Sequence, residues 1–140
     1  MINAEEMNMN QNREDFKRGT AELLILHLLT GADLYGYQIA QAFDEKSNGE
    51  YTMLEGSLYP ILYKLEDAGL ISSYIVKAGV RRTRKMYHLE APGKTHYETI
   101  LREYLNVTNN IFRILDLPEP APQARIQAQK KGPDPSAQSS

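Results

Sequence analysis

A run of basic residues in the second half of the chain has the composition of a phosphate-binding segment. Positions 77–88 contain five cations and no acid: Lys77, Arg81, Arg82, Arg84 and Lys85. Clustered cations repel one another unless an anion lies nearby, and phosphate oxygens are favourable partners for them. Because the formal net charge of the chain is −2, attraction to nucleic acid would have to come from this local cluster. Taken alone, the run is also compatible with a solvated hairpin tip.

Two tyrosines lie where a helix is expected to begin. Tyr35 and Tyr37 flank Gly36, and the free N–H groups at a helix start bind phosphate well. Their hydroxyl groups can add hydrogen bonds to the same anion. The alternative is that both rings belong to the core and expose only their polar ends.

A third predicted helix carries a second set of hydrogen-bond donors. Leu58, Leu62 and Leu65 share one face of it, and the donors lie on its other sides: Ser57, Tyr59, Tyr63 and Lys64. Such side chains can contact phosphates and base edges. The structural alternatives stay open, because the tyrosines can pack, Ser57 can cap the helix and Lys64 can be an ordinary surface lysine.

Apolar periodicity and turn residues predict the elements that position these groups. Helices are expected at about 17–30, 35–47 and 56–68, a β-hairpin pairs 70–76 with 86–89, and a long helix covers about 93–116. The expected fold class is mainly α with a small β-hairpin. The order of elements is that of a winged helix-turn-helix, in which the third helix enters the major groove and the wing contacts the backbone.

The long helix carries an apolar stripe that one chain cannot cover. Its positions alternate by four and three, as in a coiled coil: Tyr97, Leu101, Tyr104, Thr108, Ile111 and Leu115. We expect this helix to form a homodimer. The apolar first helix, including Leu23 and Leu26, is expected to pack against the partner's long helix. A two-fold dimer would present two third helices to a pseudo-palindromic DNA site.

Composition sets the expected domain organisation. Residues 1–14 are polar and predict a flexible arm, 15–92 form the winged domain, and 93–117 form the dimerisation helix. The segment 118–140 contains five of the seven prolines and predicts a disordered tail. The chain has no cysteine and no apolar run long enough for a signal or a membrane span. We therefore expect a cytoplasmic protein without a membrane partner.

Catalytic chemistry has little support in the sequence. The three histidines, His27, His88 and His96, lie on three different predicted elements without metal-ligand spacing. The sequence contains neither a glycine-rich phosphate loop nor a recognisable catalytic triad. Accordingly, we expect no enzyme activity, no cofactor and no bound metal.

The tyrosine motifs together resemble one family of bacterial regulators. The segments LYGYQI at 34–39 and EGSLYPILYKLEDAGLI at 55–71, with RKMYHL at 84–89, are closely similar to the PadR family. The resemblance covers roughly residues 17–115 and points to the short subgroup, which has a single C-terminal helix. It implies a dimeric repressor, and several PadR-like proteins release DNA when they bind small aromatic or drug-like molecules. A winged helix that binds protein rather than specific DNA is the alternative.

Overall fold

The computed structural model describes residues 3–118. Five helices and three strands follow one another along this part of the chain. In order they are α1 (Ala4–Lys17), α2 (Ala21–Gly31), β1 (Leu34–Tyr35), α3 (Gly36–Lys46), α4 (Glu55–Asp67), β2 (Ile71–Lys77), β3 (Thr83–Leu89) and α5 (Ala91–Ile114). The mainly helical winged helix-turn-helix expected from the sequence is confirmed.

The core forms where the apolar faces of α2, α3 and α4 meet the sheet. Leu58, Leu62 and Leu65 of α4 are buried, because spacings of four and three residues place them on one side of the helix. Ile39 from α3 and Tyr87 from β3 belong to the same cluster. Each fully buried side chain of this size contributes about 1.5–3 kcal/mol. The core therefore fixes α4 against the sheet that carries the basic run.

The sheet is antiparallel, with the strand order β1-β3-β2. Strands β2 and β3 form the predicted hairpin, and Ile71 pairs with Leu89 at its base. The short strand β1 pairs Tyr35 with Met86, so it adds a third strand that the sequence analysis did not predict. This pairing brings the start of α3 directly beside the wing.

Strand β3 begins earlier than the sequence analysis predicted. It starts at Thr83 rather than Met86, so Arg84 and Lys85 lie in a strand and not in the turn. Successive side chains of a strand point to opposite faces. The two cations are therefore directed to different surfaces of the wing.

The amino-terminal segment corrects one prediction. Residues 1–14 were expected to form a flexible arm, but α1 covers Ala4–Lys17. Its start has a capping box, in which the Asn3 side chain accepts a hydrogen bond from the Glu6 N–H, and Glu6 accepts one from the Asn3 N–H. The sequence analysis did not identify this helix, because its residues show no apolar period.

The long helix spans a boundary between two compact units of the chain, Met1–Ile100 and Leu101–Ser140. Pro92 lies in the first turn of α5, where its missing N–H costs little. Gly93 is buried, and a side chain there would collide with the Leu70 carbonyl. The predicted disordered tail at 118–140 lies outside the described residues, apart from Pro118.

Candidate nucleic-acid interface

The start of α3 carries two tyrosines in different environments. Tyr37 is 56% exposed, whereas Tyr35 is half-buried. Their rings stack with centroids 6.4 Å apart. The Tyr35 N–H is already bonded to the Gln38 side chain at 3.1 Å. The more accessible hydrogen-bonding group is therefore the hydroxyl of Tyr37, which lies near the positive end of the α3 dipole.

Arg84 joins this pair from the wing. Its guanidinium lies 4.4 Å from the centroid of the Tyr35 ring, a distance typical of a cation–π contact. The register explains the contact, because Tyr35 pairs with Met86 and Arg84 lies two residues away on the same face of β3. The basic wing and the start of α3 thus form one continuous surface.

The second tyrosine pair lies on α4. Tyr59 is half-buried against Gly36, where a Cβ atom would lie 2.7 Å from Cζ of the Tyr59 ring. Tyr63 is 56% exposed, and its ring centroid lies 6.3 Å from that of Tyr59. Partial burial raises the pKa of the Tyr59 hydroxyl, which keeps it protonated. Tyr59 therefore packs as a spacer, and Tyr63 is the exposed donor.

Lys85 lies on the face of the wing opposite to that of Arg84, and there it contacts α4. Its Nζ lies 5.6 Å from the Tyr63 ring centroid and 3.9 Å from Oε1 of Glu66. Glu66 also accepts a 2.6 Å hydrogen bond from the Ser73 hydroxyl on β2. The sequence analysis did not single out Glu66, since its partners Ser73 and Lys85 belong to other elements, the strands β2 and β3. These contacts fix the angle between α4 and the wing.

The hairpin tip presents the remaining cations to solvent. Arg81 and Arg82 are exposed, and neither forms an ion pair with any residue in the range 3–118. Val80 beside them is 96% exposed. A backbone bond from the Ala78 N–H to the Arg82 carbonyl, at 3.0 Å, closes the tip. Its arginines are accessible to an external anion.

Two predicted donors lie on the other edge of α4. Lys64 Nζ is 3.8 Å from Oε2 of Glu22 on α2, so this lysine has a partner within the chain that the sequence did not reveal. Ser57 is exposed in the first turn of α4, and Leu54 rather than Ser57 is the N-cap residue. The interpretation of Ser57 as a helix cap is therefore wrong. Neither side chain contacts the aromatic pairs Tyr35–Tyr37 and Tyr59–Tyr63 through any ion pair or hydrogen bond in the described residues.

The predicted dimer residues fall into two groups. Leu26 is fully buried within one chain, which corrects its assignment to the dimer contact, and Leu23 is 7% exposed. Tyr97 is half-buried and bonds His27. Along the rest of α5 and just beyond it, Tyr104, Ile111 and Leu115 remain 46–59% exposed, while Leu101 and Thr108 are half-buried. Three of the six predicted positions, Tyr104, Ile111 and Leu115, thus expose apolar surface in a single chain.

A family comparison identifies this arrangement. The model of the PadR-like family of transcriptional regulators matches residues 25–99, which include both tyrosine motifs and the wing. The chain belongs to the PadR-like family. The sequence-based recognition is thereby confirmed, and this PadR-like chain is a transcriptional regulator.

Individual relatives agree with the assignment. An uncharacterized protein of Lysinibacillus sphaericus is 30% identical over 95 residues, covering 68% of this chain and 87% of the relative. A transcriptional regulator from Clostridium thermocellum superposes with a TM-score of 0.67 and 29% identity, covering 71% of this chain and 96% of that one.

The negative transcriptional regulator PadR of Bacillus subtilis is also similar. Its structure in complex with operator DNA has a TM-score of 0.54 and 32% identity to this chain. The superposition covers 57% of this chain and 46% of PadR, so the PadR-like chain spans less than half the length of that relative. Within residues 3–118, no helix has the length and apolarity needed to cross a bilayer.

Proposed function

We propose that this PadR-like chain is a sequence-specific DNA-binding repressor that acts as a homodimer on a pseudo-palindromic operator. The observation that carries the proposal is the continuous surface joining Arg84, Tyr35 and Tyr37 to the α4 pair Tyr59 and Tyr63 through Gly36. It combines exposed hydroxyl donors, a helix start and cations, which are the groups that position a protein on a DNA backbone. The similarity to a PadR protein solved with operator DNA supports the same reading.

Within this proposal the groups have separate roles. Arg81 and Arg82 contact phosphates beside the groove that receives α4, because they are exposed and unpaired with acids in the described part of the chain. Tyr63 lies on the exposed side of α4 and reaches the groove, with Ser57 and Lys64 at its other edge. Tyr37, at the start of α3, contacts the DNA backbone. Lys85 holds the wing against α4.

The dimer rests on the apolar stripe of α5. Side chains such as Tyr104 and Ile111 are about half exposed in one chain, and their burial against a second copy would remove apolar surface from water. Two α4 helices related by a two-fold axis would then face successive major grooves. Release from the operator by a small-molecule effector, which the resemblance to PadR-like regulators suggests, belongs to the same proposal.

Selection of bound genomic fragments by the purified chain tests the DNA-binding proposal. We expect a small set of enriched sequences, whose affinity falls steeply with salt concentration because bound phosphates release counterions. The Tyr37→Phe/Tyr63→Phe variant should lose affinity while keeping its fold, as judged by circular dichroism. A chain that enriches no sequence and captures a protein partner through the same surface would favour the alternative, a protein-interaction module.

A further inference from the structure

The link between α3 and α4 is long for a helix-turn-helix. It spans residues 47–54, about twice the three or four residues that are usual for the turn of this motif. Leu58 attaches α4 to the core, whereas Leu54, the N-cap residue of α4, is 73% exposed. A link of this length does not fix its own course, so the position of the residues just before α4 depends on contacts from another part of the chain.

Lys17, the last residue of α1, supplies such a contact. Its Nζ donates a hydrogen bond to the Thr52 carbonyl at 3.1 Å and lies 4.7 Å from the centroid of the Tyr51 ring. The same atom is 3.2 Å from Oε2 of Glu14, one turn earlier in α1. The Lys17 side chain is only 18% exposed, and lysine is rarely buried to this degree unless it is paired. Its ammonium group has therefore exchanged water for partners within the chain.

Thr20, three residues after Lys17, makes a second contact with the link. Its hydroxyl lies 2.5 Å from the Tyr51 hydroxyl and donates to the Lys17 carbonyl at 2.7 Å. The Tyr51 N–H in turn donates to Oγ of Ser47, the C-cap residue of α3, at 2.8 Å. The end of α1, the link and the end of α3 are thus joined by one set of hydrogen bonds.

The link leads directly to a side chain of the proposed DNA-binding surface. The Ser57 N–H donates to the Leu54 carbonyl at 3.0 Å, so the course of the link determines where the exposed Ser57 side chain lies. Lys17 and Ser57 line the same groove of about 400 Å³. Because the Lys17 ammonium is largely buried and bonded within the chain, it is poorly placed to contact a phosphate itself.

We propose that Lys17 is a positioning residue for operator recognition: its bond to the Thr52 carbonyl fixes the link and thereby the first turn of α4. Replacement of Lys17 should therefore reduce the preference for operator over random DNA without changing the salt dependence of binding. The effect on recognition rests on the proposed function, whereas the fixing of the link does not.

Hydrogen exchange measured by mass spectrometry over residues 50–58 tests whether Lys17 fixes the link. Lys17→Met keeps an aliphatic side chain but removes the donors, and it should accelerate exchange in this segment by about tenfold, since bonds to charged groups are among the stronger ones. Exchange in β2 should not change. Lys17→Arg keeps a cationic donor and should restore slow exchange. Lys94→Met, in the exposed first turns of α5, matches the change in charge and should have no effect.

DNA binding by the same variants provides the second measurement. Lys17→Met should weaken operator binding by about tenfold and binding to random DNA by much less, with the salt slope of Lys94→Met. Lys17→Arg should bind the operator as wild type does. Glu14→Gln leaves the bond to Thr52 in place and should not alter exchange or binding. Thr20→Val removes the hydroxyl that contacts Tyr51 and should have the same effects as Lys17→Met to a smaller degree, so it provides the test if Lys17→Met does not fold.

The outcomes separate this role from the proposed function. Unchanged exchange over residues 50–58 in Lys17→Met, or in Thr20→Val if the first variant does not fold, overturns the inference. Equal losses on operator and random DNA with a shallower salt slope would make Lys17 a phosphate contact, and the inference would be wrong. An effect of Glu14→Gln as large as that of Lys17→Met would assign the effect to α1 alone and would also overturn it. Faster exchange in a chain whose wild type selects no operator would support the fixing of the link and refute the DNA-binding proposal.

Discussion

The Tyr59 ring packs directly against the backbone of Gly36. This contact joins the start of α3 to the middle of α4, and only a residue without a side chain fits at position 36. The two tyrosine motifs, which are separated by about twenty residues in the sequence, are therefore one structural unit. The spacing between Tyr37 and Tyr63 on the proposed DNA-binding surface depends on this contact.

Gly36→Ala should destabilise the chain. Its new Cβ would lie 2.7 Å from Cζ of Tyr59, and overpacking of this kind costs about 1–3 kcal/mol. The control is Gly56→Ala in α4, where no atom lies within 4 Å of the added Cβ and alanine should stabilise the helix. Denaturant unfolding measures both changes. If the two variants have equal stability relative to wild type, the proposed role of the contact is refuted.

Replacing Arg81 and Arg82 with alanine should weaken binding to all DNA sequences to a similar degree. Each phosphate contact removed should reduce the slope of log affinity against log salt by about 0.9. Fluorescence anisotropy at several salt concentrations measures the slope, and the exposed Arg102→Ala provides a control on α5. An unchanged slope in the double variant would show that the wing tip does not contact phosphates.

Lys64→Gln should lower affinity for the operator with little effect on stability. The ion pair with Glu22 is 76% exposed on the lysine side, and exposed pairs contribute at most about 1 kcal/mol. A larger loss on operator than on random DNA indicates base contact, which is worth about 1–3 kcal/mol, and equal losses indicate a phosphate contact. Glu22→Gln, which frees the lysine, should not weaken binding. No change on either DNA would exclude Lys64 from the interface.

The pH dependence of stability should include a contribution from a cluster at the base of the wing. Asp33 accepts hydrogen bonds from His88 Nδ1 at 2.8 Å and from the Tyr74 hydroxyl at 2.7 Å. The hydrogen bond to Asp33 and its charge raise the pKa of His88, and bonds from Tyr74 and His88 lower the pKa of Asp33. The cluster therefore ties together residues next to or within all three strands.

The signs of these shifts define a pH window. The raised pKa means that the stabilisation from His88 is fully present below about pH 6.5 and is lost as the pH rises through the folded-state pKa. The contribution of Asp33 is present above its ordinary pKa and is lost in stronger acid. The midpoint temperatures of thermal unfolding of wild type and His88→Gln, measured between pH 5 and pH 8, should differ more at the acidic end of this range. Parallel curves would contradict the assignment.

The sequence predicted the parts of this structure that depend on local periodicity. The spacing of Leu58, Leu62 and Leu65 was sufficient to orient α4, and the basic run was sufficient to locate the wing. The contact between Gly36 and Tyr59 and the pair between Lys64 and Glu22 join distant segments, so no local pattern indicates them. For the same reason, the burial of Leu26 inside one chain could not be distinguished from burial at a dimer contact.

The short strand β1 and helix α1 were missed for different physical reasons. Two residues are too few to show the alternation of a strand, and Leu34–Tyr35 becomes a strand only because β3 lies beside it. Helix α1 has no apolar face that could be recognised as a periodic pattern, although its capping box was present. Elements that depend on a neighbour or on a cap alone are therefore the least predictable parts of this chain.

Footprinting of the dimeric chain on its selected operator shows whether two copies bind one two-fold site. We expect two protected half-sites related by two-fold symmetry, with centres about one helical turn or a multiple of it apart. Leu101→Asp, which places a charge on the apolar stripe of α5, should give monomers in sedimentation and abolish both footprints at the same protein concentration. A single asymmetric footprint that Leu101→Asp leaves unchanged would show that the chain does not bind DNA as a two-fold dimer.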